Sequence, residues 1–435
     1  MPKRQTVDQT ELQQLVEEFK KDAQSDGKKR GVFGMESRAL DQARELERSL
    51  IEEEIREGAR GYEGNTRECL RCGKTKQRYK GDEPRVIEFE SGEIQFSRSY
   101  YVCEECKESS YPLDEKLGLV PGREQGRLRK KLSMLAVVTP YHQAPVVCET
   151  MLGSERHATN LRRMLLREAN RFEGSTAAEQ ELTPKDGQTV YLQIDGHMCP
   201  TREERKNAED QGFREAKAVL AYRESDVVEV SKKRREILHR ILKAKVTTSE
   251  DFLPIVKKVY QQSHADKAEL VVVLADGAKW IWNMVEEVAP EAIQVLDFSH
   301  AKQHLYEYAK IRFQQERERV KPWVDEQIDR LYDDRVSEVI SEMNLYADLN
   351  EDLSRVASYF ETNAARMQYG TYRSKGLTIG SGAIESAGKQ LSLSRIKAAG
   401  MRWNVTDLNP MLAMRAAFLD GSWSHYWKEQ ELLAA

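Results

Sequence analysis

Val190-Tyr-Leu-Gln-Ile-Asp195-Gly196 and Leu270-Val-Val-Val-Leu-Ala-Asp276-Gly277 are the two stretches on which the fold turns. Each is a short apolar run bounded by a turn signal, which predicts a strand, and each closes on the same Asp-Gly pair. A third acid, Glu385, lies far downstream in Gly380-Ser-Gly-Ala-Ile-Glu385-Ser, a Gly-rich turn that opens a helix. Carboxylates at the ends of neighbouring strands, joined by one from a helix, hold divalent metals for in-line displacement at phosphorus. A single Asp-Gly is an ordinary exit from a strand. Two of them after strongly apolar runs, with a Glu beyond a Gly-Ser-Gly turn, favour metal chemistry.

Working outward, Ala216 to Tyr222 and Glu236 to Val246 are two further apolar runs, Asp251 to Gln262 a helix, and Ile293-Gln-Val-Leu-Asp297 a fifth strand. The helix before that strand carries Trp280, Ile281, Met284 and Val285. Three strands followed by alternating helix and strand is the order of an α/β, ribonuclease H-like fold. That order sets the first and fourth strands side by side and so brings Asp195 and Asp276 together. From Asp297 to Gly370 the apolar spacing turns helical, as in Leu353, Val356, Ala357, Phe360, Ala364 and Met367. The expected layout is a core in two parts, 186–298 and 373–435, around an all-helical insertion at 299–372. Asp297-Phe-Ser-His300-Ala-Lys-Gln-His304 puts an acid and two histidines on successive turns, without the Glu of a metalloprotease motif. A structural or substrate-positioning role near the site, or simple capping by Asp297 or Ser299, fits that spacing. Gly376 to Gly388 lacks the Gly-Lys-Thr/Ser ending of a nucleotide-binding loop.

Upstream, residues 1–60 read as an N-terminal helical arm of two helices, the second starting near Ser37. Residues 61–122 hold Cys69-Leu-Arg-Cys72 and Cys103-Glu-Glu-Cys106, with a hairpin signal at Ser91-Gly92 between them. Two such knuckles predict a zinc ribbon, a closed structural Zn²⁺ site of four thiolates that stands in for a core. Redox or buried thiols are the alternative. Residues 123–175 read as a helix-turn-helix-like module, with Pro140 interrupting, a turn at Gly153-Ser154, and a last helix bearing Arg156, Asn160, Arg162, Arg163 and Arg167. A solvated basic face is the plainer reading of those cations. Lys389, Arg395, Lys397, Arg402 and Trp403, beyond Glu385, are a second candidate DNA-binding set: cations to track a backbone and an aromatic to stack on an unpaired base, unless Trp403 is core.

Composition sets limits. The 435 residues, 40% hydrophobic and 32% charged, belong to a globular chain of two or three domains. A net charge of −4 excludes a wholly basic coat, so DNA contact must come from local faces. No apolar run is long enough for a membrane span and no signal-peptide core follows Met1, so a cytoplasmic protein without a membrane partner is expected. Six cysteines are too few for a disulfide scaffold; Cys148 and Cys199 are expected to be buried thiols.

Taken together, the four ribbon cysteines with Tyr-Tyr-Val before the second pair, Pro140-Tyr-His-Gln-Ala-Pro145, Ile194-Asp-Gly, Ala275-Asp-Gly, Asp297-x-x-His300, Gly380-Ser-Gly-x-Ile-Glu385 and Gly400-Met-Arg-Trp403 resemble a bacterial insertion-sequence transposase of the DDE class, related to the Mutator-like branch. The resemblance runs from about Gly61 to Trp423. It implies catalytic Asp195, Asp276 and Glu385 holding Mg²⁺ (or Mn²⁺), with Asp297 and His300 as accessory residues. It also implies cleavage at element ends, joining of a 3′ hydroxyl to target DNA, and a homo-oligomer that pairs two terminal inverted repeats, nucleoid-associated when bound. A ribonuclease H-like nuclease or resolvase that only hydrolyses, and a domesticated DNA-binding regulator, are the rival expectations.

Overall fold

The apolar runs at 190–194 and 272–275 are buried throughout because both faces of their strands are covered. Val190, Tyr191, Leu192, Gln193 and Ile194 are all buried, as are Val272, Val273, Leu274 and Ala275. The computed structural model describes residue 17 and residues 31–73, 76–154, 156–183, 187–203, 212–231, 234–392, 395–398 and 400–433. The first expected helix of the N-terminal arm falls outside those residues. The chain is mixed α/β and divides into two compact units: 1–132 with 150–154 and 430–435, and 133–149 with 155–429. None of its helices, among the described residues, is long and apolar enough to cross a membrane.

The first unit pairs a helix, α1 (Val32–Glu57), with an antiparallel sheet of β1 (Thr66–Glu68), β2 (Lys76–Phe89), β3 (Gly92–Cys103) and β4 (Ser109–Ser110), in that order. The β2–β3 hairpin turns where expected, with Phe89 opposite Gly92, whose φ of 124° no other residue adopts readily. Its apolar core is small: Ile55, Ile87, Ile94 and Leu113, with Ile51, Phe89, Phe96, Leu117 and Leu119 around them.

The second unit is built on a five-stranded sheet of β5 (Thr189–Pro200), β6 (Phe213–Arg223), β9 (Ile241–Val246), β10 (Leu270–Ala275) and β11 (Ile293–Leu296). Its order is β11-β10-β5-β6-β9: the first three run parallel, and β5, β6 and β9 pair antiparallel. The first and fourth strands of the core are therefore neighbours. One expected strand is corrected. Glu236 to Val246 is not continuous; β7 (Val227–Ser231) and β8 (Arg234–Ile237) form a separate hairpin, and only Ile241–Val246 joins the sheet. The break comes at Leu238 to Arg240, where His239 meets Asp226 at 3.2 Å and Arg240 donates to the Leu419 carbonyl.

Around this sheet lie α2 (Ala158–Glu173), α3 (Ser249–Gln262) and α4 (Lys279–Val288). Then α5 (Phe298–Arg312), α6 (Val320–Tyr332), α7 (Val336–Asn344), α8 (Glu351–Asn363) and α9 (Tyr369–Ser374) form a helical stretch without a strand among the described residues. Finally α10 (Gly382–Ser392) packs on β5 and β6, and α11 (Val405–Asp420) on β9.

Candidate active site

Strand register builds the site. Ala275 on β10 lies opposite Ile194 on β5 and Leu296 on β11, so the next residue on each strand is an aspartate: Asp195, Asp276 and Asp297. Parallel strands stand about 4.8 Å apart, and three carboxylates thus share one level, just past the ends of β10 and β11 and midway along the longer β5. The Asp195 carboxylate accepts its neighbour Gly196's N–H at 2.7 Å, and Asp276 accepts that of Ala278 at 2.9 Å. Asp297 is fully buried and caps α5, its Oδ2 accepting the His300 N–H at 3.1 Å while Oδ1 accepts the Ser381 N–H at 2.8 Å.

The same bonds dock the Glu385 segment. The Phe298 N–H donates to the Ile379 carbonyl at 3.0 Å, and buried Gln193 accepts the Ile384 N–H at 2.9 Å. Glu385 then sits in the first turn of α10, half-buried, with Lys389 Nζ 3.8 Å from its carboxylate. Two glycines serve close approach rather than turns. A Cβ on Gly388 would lie 1.8 Å from His197 Nε2, and one on Gly277 2.1 Å from the Tyr359 ring. Gly196 does not end a strand at all, since β5 runs through it to Pro200.

Burial first, and the charge of Asp276 second, push the Asp195 carboxyl above its ordinary range; His197, the Gly196 N–H and His300 oppose the shift. His197 Nδ1 lies 3.6 Å from Asp195 Oδ2. Burial lowers the His197 pKa, with Lys397 adding and Asp195, Glu215 and Glu385 opposing. Burial likewise raises the Tyr359 phenol, with the charges of Asp276 and Asp297 adding. His304 packs against that ring, centroids 4.1 Å apart and tilted by 41°, and pairs with Glu307, a structural use of the second histidine.

Asp297, His300 and Glu385 each offer a ligand atom within 4.8 Å of the other two. The two residues expected as accessories thus stand nearest Glu385 at ligand spacing, while Asp195 and Asp276 face each other across the strand pair. Two carboxylates and an imidazole suit a divalent cation that accepts both oxygen and nitrogen. In the first unit, Cys69, Cys72, Cys103 and Cys106 also lie within 4.8 Å of one another, with Sγ–Sγ separations of 3.6 Å for Cys69–Cys106 and 3.8 Å for Cys72–Cys103. Metal–sulfur bonds of about 2.3 Å in a tetrahedron require an edge of about 3.8 Å, so the four sulfurs fit a closed Zn²⁺ site.

A family model described as Uncharacterised protein family (UPF0236) matches residues 34–431. The chain belongs to UPF0236. No curated protein matches it. Among solved structures it is similar to the Drosophila P element transposase strand transfer complex, at 9% identity and a TM-score of 0.24, over 72% of this chain and 83% of that one. A likeness that slight carries no argument.

The residues expected to bind DNA separate by exposure in this UPF0236 chain. Asn160 and Arg163 on α2, Lys389 on α10 and Arg402 are exposed; Arg156, Arg167 and Lys397 are half-buried. Arg162 is committed to a two-pronged pair with Asp407, at 2.7 and 3.0 Å. Arg395 corrects the expectation of a surface cation, and Trp403 takes the core alternative that the sequence left open. Arg395 is fully buried, donates twice to the Ala136 carbonyl at 3.2 Å, and lies 4.2 Å from the Tyr141 ring and 5.0 Å from the Trp403 ring. Trp403 is buried and donates to the Ile396 carbonyl, so it has no open face for a base. Sequence reading also missed His197; its only signal was its place two residues after Asp195. Cys148 and Cys199 are buried thiols, as expected.

Proposed function

We propose that this protein is a DNA transposase: a metal-dependent phosphoryl-transfer enzyme that cleaves element ends and joins the 3′ hydroxyl to target DNA. The observation that carries this reading is the run of Asp195, Asp276 and Asp297 in register across three adjacent parallel strands, Asp195 inside β5 and the other two just past the ends of β10 and β11, with Glu385 brought beside Asp297 and His300. On this reading residues 186–298 and 373–435 form a ribonuclease H-like catalytic domain around the helical insertion at 299–372. Residues 61–122 form the zinc ribbon, and the helices of 123–175 the DNA-binding module. The partners are the element's terminal inverted repeats and target DNA, held by a homo-oligomer.

Asp195, Asp276 and Glu385, with Asp297 and His300 beside them, are the residues to hold Mg²⁺ or Mn²⁺. Bound divalent ions supply an activated water or 3′ hydroxyl and neutralise charge on the leaving oxygen. Buried Asp297 orients the His300 backbone and the Ser381 turn at once, so the α5 and α10 starts are held to one carboxylate. The attacking oxygen forms its bond to phosphorus as the opposite P–O bond breaks, and the leaving oxygen takes the negative charge.

The test is a strand-transfer assay with the chain's own flanking repeats and a target plasmid, with and without Mg²⁺. Joined products that require metal are expected. Hydrolysed ends alone would make the protein a nuclease, and binding without either product a regulator.

A further inference from the structure

A cavity of about 270 Å³ opens beside the segment that follows α10. It is below the roughly 300–1,000 Å³ usual for drug-sized ligands. Four guanidiniums line it, those of Arg162, Arg202, Arg395 and Arg402, against a single carboxylate, Asp407. Asp407 is already taken by Arg162. Arg395 has spent Nε and Nη2 on the Ala136 carbonyl, and its buried Nη1 has no partner at hydrogen-bond geometry, with the Tyr141 side chain its polar neighbour. A buried, unsatisfied donor on a charged group is costly unless an acceptor reaches it. The chain as a whole is net negative, so this concentration of positive charge is local.

We propose that this cavity seats one backbone phosphate of DNA, bound through charge and without reading a base. The proposal rests on the DNA-processing reading above and adds a binding site to it. Stacking is excluded here because Trp403 is buried and already packs on the Tyr141 ring, centroids 6.1 Å apart, with the Arg395 guanidinium against both. Phosphate contacts of this kind position a duplex and carry no sequence information. Arg202 and Arg402, both exposed, extend the positive charge past a single phosphate along a strand. Only ten positions separate Glu385 from Arg395, so the seat and the acidic site belong to one continuous stretch of chain.

Arg202→Ala and the double variant Arg202→Ala/Arg402→Ala test it in the full-length protein, by fluorescence anisotropy on a labelled 20-base-pair duplex in EDTA. Each lost phosphate contact lowers the salt dependence, log K against log salt, by about one. The double variant is expected to bind about tenfold more weakly with a slope smaller by about one, equally for a scrambled duplex, and with an unchanged melting temperature. Unchanged affinity and slope in both variants overturns the proposal. So does displacement of the duplex by inorganic phosphate at micromolar concentration, which would assign the cavity to a free oxyanion. Because binding is read without metal, weakened binding in a protein that never yields joined products still supports the seat and rejects only the transposase reading.

Discussion

At the scale of single residues, the site combines charge with burial. Asp195 is an acid whose folded pKa lies above its ordinary value because it is half-buried, with Asp276 beside it. Such a group stabilises the fold when protonated and loses that contribution as pH rises through the raised value. Ionised Asp195 therefore weakens the metal-free protein at neutral pH. Asp195→Asn is expected to raise its melting temperature there, with the advantage fading as pH falls to about 4, where the unfolded acid also takes its proton. The same substitution should cut cleavage and joining by at least about 100-fold while duplex binding persists, as gel shift and strand-transfer assays on one preparation will show. Equal loss of binding and chemistry would make Asp195 a structural residue. His300 carries a different expectation. A nitrogen ligand beside two carboxylates favours Mn²⁺ over Mg²⁺, and His300→Ala should narrow that preference about tenfold by calorimetric titration.

At the scale of elements, glycine sets how closely the site's pieces approach. Gly388 on α10 lies against the His197 ring, and a methyl group there displaces either the ring beside Asp195 or the helix that carries Glu385. Gly388→Ala should cost about 1–3 kcal/mol in denaturant unfolding, the range for overpacking a tight contact, and lower activity with it. A smaller loss with full activity would mean that His197 swings away freely. In the first unit, the four cysteine sulfurs lie within 4.8 Å of one another beside a small apolar cluster, and a zinc ion held there would add to that core. Cys72→Ser should release one equivalent of zinc by elemental analysis and expose the sheet to proteolysis. Native protein free of zinc would dismiss the ribbon.

At the scale of the whole molecule, a chain of net charge −4 that acts on DNA, as proposed, would meet it only through local basic faces. Its affinity should fall with salt along a slope set by a few phosphates, at about 0.9 for each, rather than the steep dependence of a basic coat. Much of the framework was legible beforehand. Apolar runs ending in Asp-Gly, helical spacing after Asp297 and paired Cys-x-x-Cys motifs are local patterns, and local backbone preference together with burial is enough to read them. The sequence by itself determined the sheet strands that carry Asp195, Asp276 and Asp297, the helix opening near Glu385 and the cysteine quartet. Only the tertiary structure decided which cations stay exposed. Arg395 looks like a surface residue in a basic stretch, yet it is drawn inside by a carbonyl 259 positions away. It also decided that Asp297 and His300 stand nearest Glu385, because strand register and the Ser381 contact act between segments distant in the chain. Side-chain partners at that separation leave no periodicity to read; they exist only once the backbone has closed.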